Sequence, residues 1–518
     1  MTDNKLNKQT TSPYLGINYL RKILTAPVYD VAIETDLSWL GKLSSELGND
    51  IYLKREDQQP VHSFKLRGAY NKLAQLSEKR RKQGVIAASA GNHAQGLALA
   101  AKTLGVTATI VMPITTPEIK VDNVKRFGAN VVLTGSSFSE ASESAMIMAK
   151  EQQLTIIPPY DDSDVIAGQG TVAKELLQQL PTADVVFVPV GGGGLLAGMA
   201  VYLKQLCPEI KIIGVEAEDS ACLAAAMDAG EPVDLDHVGL FADGVAVKRI
   251  GSKTFALIEK YCDQVITVTS DEMCGAIKDI FEHTRVIAEP SGALSLAGLI
   301  KYCQTSKGGE KLAAILSGAN MNFHSLRYVS ERCELGEQKE AVLSVEIPEQ
   351  KGSFRRFCQI LGGLAITEFN YRYADNQKAN IFVGVKLTNG QQQLDELVTE
   401  LTSKDYKVTD FTDNELAKLH VRFMIGGKNT APMDERLFSF EFPEYPGALE
   451  KFLDTLGENW NISLFHYRNH GAAFGQVLAG IEVPDNKQNG LFEHLDDLGY
   501  QYQEETNNPA YQAFLSKM

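Results

Sequence analysis

The sequence predicts an α/β protein, a doubly wound and mostly parallel sheet region followed by a duplicated α+β tail. Three observations predict it. Short runs rich in Val and Ile alternate with Ala-rich amphipathic stretches over residues 21–330. A charged break, "ERCELGEQKE", follows at 331–340. Beyond it, three segments recur in order at an offset of 95 or 96 residues.

Residues 1–20 read as an N-terminal arm. The runs "GVIAAS" (84–89), "TATIVMP" (107–113), "ANVVLTG" (129–135), "DVVFVPV" (184–190) and "IKIIGVEA" (210–217) follow. Each is bounded by Gly or Pro and is almost continuous in apolar residues, the pattern of strands buried on both faces. The stretches 93–104 and 138–152 between them have helical patterning. Alternation of this kind predicts helices covering a parallel sheet, here over 21–330. Residues 331–340 then read as a linker. In the tail, "IPEQKGSF" (347–354) recurs as "FPEYPGAL" (442–449), "EFNYRY" (368–373) as "LFHYRN" (464–469), and "FVGVKL" (382–387) as "LAGIEV" (478–483). A period this long signals a duplicated small domain rather than a solenoid. The copies are placed at 341–414 and 436–507. Each is predicted as strand, Pro-Glu-x-x-Gly turn, helix, strand, strand, helix, with last helices at 391–404 and 488–498.

At 518 residues the chain is too long for one core. It is 44% hydrophobic and 22% charged, a globular composition. A net charge of −15 without any basic block argues against nucleic-acid binding. The seven cysteines are scattered and lack a C-x-x-C pair, which argues against a disulfide framework and a zinc site. Reduced thiols and a cytoplasmic location are expected. The start, "MTDNKLNKQTTSPY", has no apolar core, so no signal peptide is expected. No apolar run approaches the roughly 18 residues a membrane span needs.

Four segments carry chemistry. In "SFKLRGA" (63–69), Lys65 sits between Phe64 and Leu66. Such a lysine is either a surface cation with a snorkelling stem or a partly dry, reactive amine. "SAGNHAQG" (89–96) joins a strand to a helix, where exposed backbone N–H groups receive a carboxylate or phosphate. An ordinary Asn-capped turn is the alternative. "VPVGGGGLLAG" (188–198) sets four glycines between a strand and a helix, a backbone that wraps an anion closely. It fits neither the P-loop nor a clean dinucleotide pattern. In "AILSGANMN" (314–322), Ser317 ends an apolar strand, on the side where open α/β sheets bind ligands. A reactive lysine and a phosphate cradle on one sheet point to pyridoxal phosphate held as a Schiff base.

These segments resemble fold-type II pyridoxal-phosphate enzymes of the threonine/serine dehydratase family, in particular its long biosynthetic threonine deaminases. The resemblance covers nearly the whole chain and includes "EPSGA" (289–293) and "SGAN" (317–320). It implies two subdomains in the catalytic region and two ACT-like regulatory domains after it. It implies that Lys65 carries the cofactor and, once freed, serves as the base. Phe64 flanks it, Asn92 meets the cofactor's phenolic oxygen, and Gly191, Gly192, Gly193, Gly194 and Leu195 donate N–H groups to its phosphate. Ser317 faces the pyridine nitrogen, and Ser89, Ala90, Gly91, Asn92 and His93 surround the substrate carboxylate. Some relatives bind a cation near the segment matching 214–222. Cys222 stands where they place a second acid, so no metal is expected, although Glu216 is present.

The implied reaction is conversion of L-threonine to 2-oxobutanoate and ammonia, with isoleucine and valine as effectors of a homotetramer. In the tail, Gly352, Tyr371, Gly447, Leu449 and Tyr467 are the candidate effector residues; the tyrosines could equally pack between the copies. Alternatives are a serine dehydratase, a racemase, a β-replacement enzyme, or a catalytically dead amino-acid sensor.

Overall fold

A computed structural model describes residues 15–507 apart from 115, 136, 240, 322–324, 337–338, 349, 351, 373–377, 415–433, 444–447, 457–459, 469–473 and 484–487. The chain divides into two compact units, Met1–Gly336 and Glu337–Met518.

The first unit contains β1 (Leu37–Trp39), β2 (Asp50–Arg55), β3 (Val85–Ala88), β4 (Ala108–Met112), β5 (Asn130–Leu133), β6 (Thr155–Ile156), β7 (Val185–Pro189), β8 (Lys211–Ala217), β9 (Gln264–Val268) and β10 (Lys311–Leu316). They form two sheets, one of order β1-β2-β10-β7-β8-β9 and one of order β5-β4-β3-β6. All pairs are parallel except β1 with β2.

The apolar runs have a direct cause. Along β7, Val186 and Val188 enter one core while Val185 and Phe187 enter the core on the opposite face. A strand covered on both sides has no polar face to alternate with. The helix Lys65–Ala74 lies against the helices Asn92–Leu104 and Ser163–Gln179. It is tied to the end of β10 by Phe64 N–H to Ser317 O (3.2 Å) and Ala319 N–H to His62 O (2.9 Å).

Three expectations are corrected. Part of the supposed arm, from residue 15, is the helix Leu15–Leu24, whose Tyr19 and Ile23 are buried in the first unit's core. Tyr19, Leu20 and Ile23 fall on one helical face, and that face packs. Of the supposed linker, residues 331–336 continue the helix Ser325–Gly336, and Arg332 is buried in an ion pair with Asp271. Arg332 there is a paired cation, and the boundary between the two units follows at Gly336, within the expected break.

The third correction lies in the second unit. It holds β11 (Glu340–Pro348), β12 (Ile366–Arg372), β13 (Lys378–Lys386), β14 (Lys407–Asp410), β15 (Glu435–Pro443), β16 (Asn461–Arg468), β17 (Phe474–Glu482) and β18 (Gln501–Glu504). They form one antiparallel sheet of order β14-β11-β13-β12-β16-β17-β15-β18. Each copy therefore carries a fourth strand, β14 or β18, that the periodicity missed. Both are four-residue, largely polar edge strands, "KVTD" and "QYQE", without an apolar alternation to detect. The copies join through β12 and β16, with Phe369 opposite Tyr467 and Tyr371 opposite Phe465.

Candidate active site

The first unit contains a cavity lined by Phe64, Lys65, Asn92, Gly191–Gly194, Leu195 and Ser317. Four segments separated by up to 253 residues (Phe64 to Ser317) thus meet around one space.

Lys65 is the first residue of its helix. It is half-buried and lines the cavity. Burial lowers its pKa, and Glu289 and Asp243 oppose that shift. Desolvation favours the neutral amine, the form that acts as nucleophile and base.

The glycine turn follows β7 and opens the helix Gly194–Leu206. Gly193 caps that helix at φ +84°, a conformation that disfavours a side chain. A Cβ on Gly192 would stand 2.2 Å from the Tyr160 ring. The turn's carbonyls are engaged elsewhere: Thr254 Oγ1 donates to Gly192 O at 2.8 Å, and Cys222 Sγ lies 3.5 Å from Gly191 O. First-turn N–H groups of a helix have no intrahelical acceptor, so this end of the cavity suits an anion. The fit to pyridoxal phosphate rests on this bare cradle opposite a desolvated amine. Ser317 is buried, and its hydroxyl donates to Ser291 O at 3.1 Å.

Not every candidate enters the cavity lining. Ser89, Ala90 and Gly91 lie half-buried at the turn before the helix Asn92–Leu104, outside that lining. The His93 ring is buried and turned to Ile157 O at 3.0 Å. Burial holds its pKa down at about 4, against the Ile157 hydrogen bond. Its imidazole is therefore neutral and committed to the backbone.

Sequence reasoning missed Glu289. This carboxyl lines the cavity, accepts from Asn92 Nδ2 (2.5 Å) and Ser291 Oγ (3.0 Å), and has its pKa raised to about 7, chiefly by burial. The available signal was a single acid opening the otherwise apolar helix sequence "EPSGALSLAGLI".

In the second unit, Gly352 and Tyr371 line a cavity with Ser353, Arg355 and Trp460. Leu449 and Tyr467 pack against the apolar core outside that lining. Gly447 lies outside the described residues. Among the described residues, no group of three or more His, Cys, Asp or Glu is placed to hold a metal ion, and no helix is long and apolar enough to cross a membrane.

The class follows from comparison with known proteins. The family model "Pyridoxal-phosphate dependent enzyme" matches residues 28–318, and "C-terminal regulatory domain of Threonine dehydratase" matches 331–421 and 426–515. The chain is 59% identical to the L-threonine dehydratase biosynthetic IlvA of Escherichia coli, over 97% of this chain and 98% of that protein. It is 49% identical to the mitochondrial threonine dehydratase of Saccharomyces cerevisiae, over 96% and 89%. Among solved structures, processed threonine deaminase isoform 2 of Solanum lycopersicum matches with 48% identity and TM-score 0.61, covering 62% of this chain and 94% of that one. Maize serine racemase matches with 31% identity and TM-score 0.57, covering 60% and 95%. The chain belongs to the biosynthetic threonine dehydratase family of pyridoxal-phosphate dependent enzymes.

Proposed function

We propose that the chain converts L-threonine to 2-oxobutanoate and ammonia by eliminating the β-hydroxyl, with pyridoxal phosphate held in the Lys65 cavity. The observation that carries this reading is the desolvated Lys65 amine sharing one cavity with the bare glycine turn. Bound there, the cofactor supplies an electron sink for charge developing at the substrate's α-carbon. Lys65 would hold the cofactor, and its amine would serve as the base that takes the substrate's α-proton. The N–H groups of Gly191–Leu195 hold the phosphate. The Ser317 hydroxyl, an uncharged group, would be the residue at the pyridine nitrogen and would place no carboxylate there to fix a positive charge on it. Asn92 would meet the cofactor's phenolic oxygen through its side chain, and the 89–93 turn would surround the substrate carboxylate.

The second unit takes the regulatory role. Isoleucine and valine are the proposed effectors, and the cavity at Gly352 and Tyr371 is the proposed effector site. A homotetramer in the cytoplasm is the proposed working form. Serine racemisation is the rival activity, because the first unit shares its fold with serine racemases.

The test is borohydride reduction of the loaded protein, followed by peptide mass spectrometry, with product assays on L-threonine and L-serine. The expected result is a pyridoxyl adduct on Lys65, absent in Lys65→Ala, and 2-oxobutanoate production that responds to isoleucine and valine. An adduct elsewhere, or D-serine as the main product, overturns the reading.

A further inference from the structure

One wall of the Lys65 cavity contains a hydrogen-bond chain whose direction is fixed at its end. Asn320 Nδ2 donates to Val61 O (2.8 Å) and to Asn92 Oδ1 (2.7 Å). A backbone carbonyl only accepts, so Asn320 must turn its NH2 group to Val61. Both of its amide hydrogens are then used. Asn92 consequently meets Asn320 with its oxygen, and its own NH2 group points the other way. There Nδ2 donates to Glu289 Oε1 (2.5 Å), an oxygen that also accepts from Ser291 Oγ (3.0 Å). One Asn92 hydrogen remains, and Asn92 lines the cavity.

The three residues come from different elements. Asn92 opens the helix Asn92–Leu104, Glu289 caps the helix Pro290–Cys303, and Asn320 follows β10. Their approach depends on bare backbone between them. A Cβ on Gly318 would lie 2.4 Å from Glu289 Oε1 and 3.3 Å from Asn92 Nδ2.

We infer that Asn320 and Glu289 are positioning residues that set the polarity of the Asn92 amide, so that the cavity presents a donor there and selects an anionic or acceptor oxygen on its ligand. The inference rests on the reading that the cavity takes pyridoxal phosphate, whose phenolic oxygen is such an acceptor. Neither residue needs to touch the cofactor. An acceptor facing Asn92 Nδ2 and a donor facing Asn92 Oδ1 are all the role requires. Glu289 therefore acts through one oxygen, which a glutamine also provides.

The experiment uses the full chain loaded with pyridoxal phosphate, and reads the cofactor dissociation constant, the absorbance maximum of the bound cofactor and the thermal midpoint. Glu289→Gln should leave the dissociation constant within about 2-fold, because the acceptor oxygen is kept. Glu289→Ala and Asn320→Asp should each weaken cofactor binding about 10-fold or more and move the absorbance maximum, as expected for losing a hydrogen bond to a charged oxygen. In an Asn92→Ala background, Asn320→Asp should add nothing. If Glu289→Ala does not fold, the Asn320 variants carry the test, since Asn320 is only half-buried. The inference is overturned if the variants shift only the thermal midpoint, if Glu289→Gln behaves like Glu289→Ala, or if Asn320→Asp weakens binding equally without Asn92. Failure of the unaltered protein to give a Lys65 adduct would instead overturn the cofactor reading. A Lys65 adduct with polarity-insensitive variants overturns this inference alone.

Discussion

Replacing Arg67 by methionine should destabilise the first unit by about 3–5 kcal/mol, the cost of removing one partner from a buried ion pair. Arg67 lies two residues after Lys65 and belongs to a fully buried quartet with Lys54, Glu56 and Glu175, all four side chains 0% exposed. It contacts Glu56 through Nε and Nη2 at 2.8 Å each, and Glu175 through Nη1 at 2.6 Å. Lys54 Nζ reaches Glu175 at 2.8 Å and Thr35 O at 2.6 Å. Two cations and two carboxylates make the quartet neutral. Methionine keeps much of the apolar volume but leaves a net charge of −1 in a fully buried site. Against a total stability of about 5–15 kcal/mol for a typical domain, that loss is large.

The charge argument makes a second, sharper prediction. Adding Glu56→Gln to Arg67→Met restores neutrality, so the double variant should be more stable than Arg67→Met alone. Hydrogen exchange of amides in the helices Lys65–Ala74 and Ser163–Gln179 measures this locally, without requiring the two-unit chain to unfold in one step. The pH dependence has a definite sign. Burial raises the Glu175 pKa, but Arg67 and Lys54 outweigh it and hold the carboxyl below its ordinary value. A depressed carboxyl contributes stability above its unfolded pKa and loses it as pH falls through the folded one. The gap between parent and Arg67→Met should therefore narrow in acid. A loss below about 1 kcal/mol, or a double variant less stable than Arg67→Met, would refute the charge argument.

Two further outcomes are expected. Gly96→Ala should cost about 1–3 kcal/mol and weaken cofactor binding, because its Cβ would stand 2.8 Å from Leu66 N, backbone of the Lys65 helix that cannot rotate away. Unchanged cofactor affinity by titration would show that the helix yields. His93, with its pKa lowered to about 4 by burial, contributes stability that is full above about 6.5 and lost as pH falls towards 4. His93→Gln should flatten that slope by up to about 3 kcal/mol in urea titrations at pH 4.5 and 7, and identical slopes would count against a buried neutral imidazole.

What the sequence makes legible is what the backbone demands locally. The runs at β4, β7 and β8 are apolar because both of their faces are covered, and that requirement is written into consecutive residues. The glycine turn is legible for a similar reason, since φ +84° at Gly193 and the Tyr160 ring against Gly192 each exclude a side chain. Lys65 stands out because a cation is costly among apolar neighbours.

The remainder depends on partners remote in the chain, which no local pattern records. Glu289 is 197 residues from Asn92, and Asn320 is 228 from it. Tyr160, Gly244 and Val245 enter the cavity lining from segments outside any strand or helix, with no periodicity to read. In the second unit the repeat reveals two copies, but only the β12–β16 pairing makes them one sheet. That pairing turns Tyr371 and Tyr467 from equivalent positions into different environments. Tyr371 is buried in the core and also lines a cavity, whereas Tyr467 is partly buried, outside that lining, beside Phe442 with ring centroids 6.4 Å apart. Sequence equivalence between two copies therefore does not carry over to their chemistry, because Tyr371 shares its cavity with Trp460 of the other copy while Tyr467 packs beside Phe442 of its own.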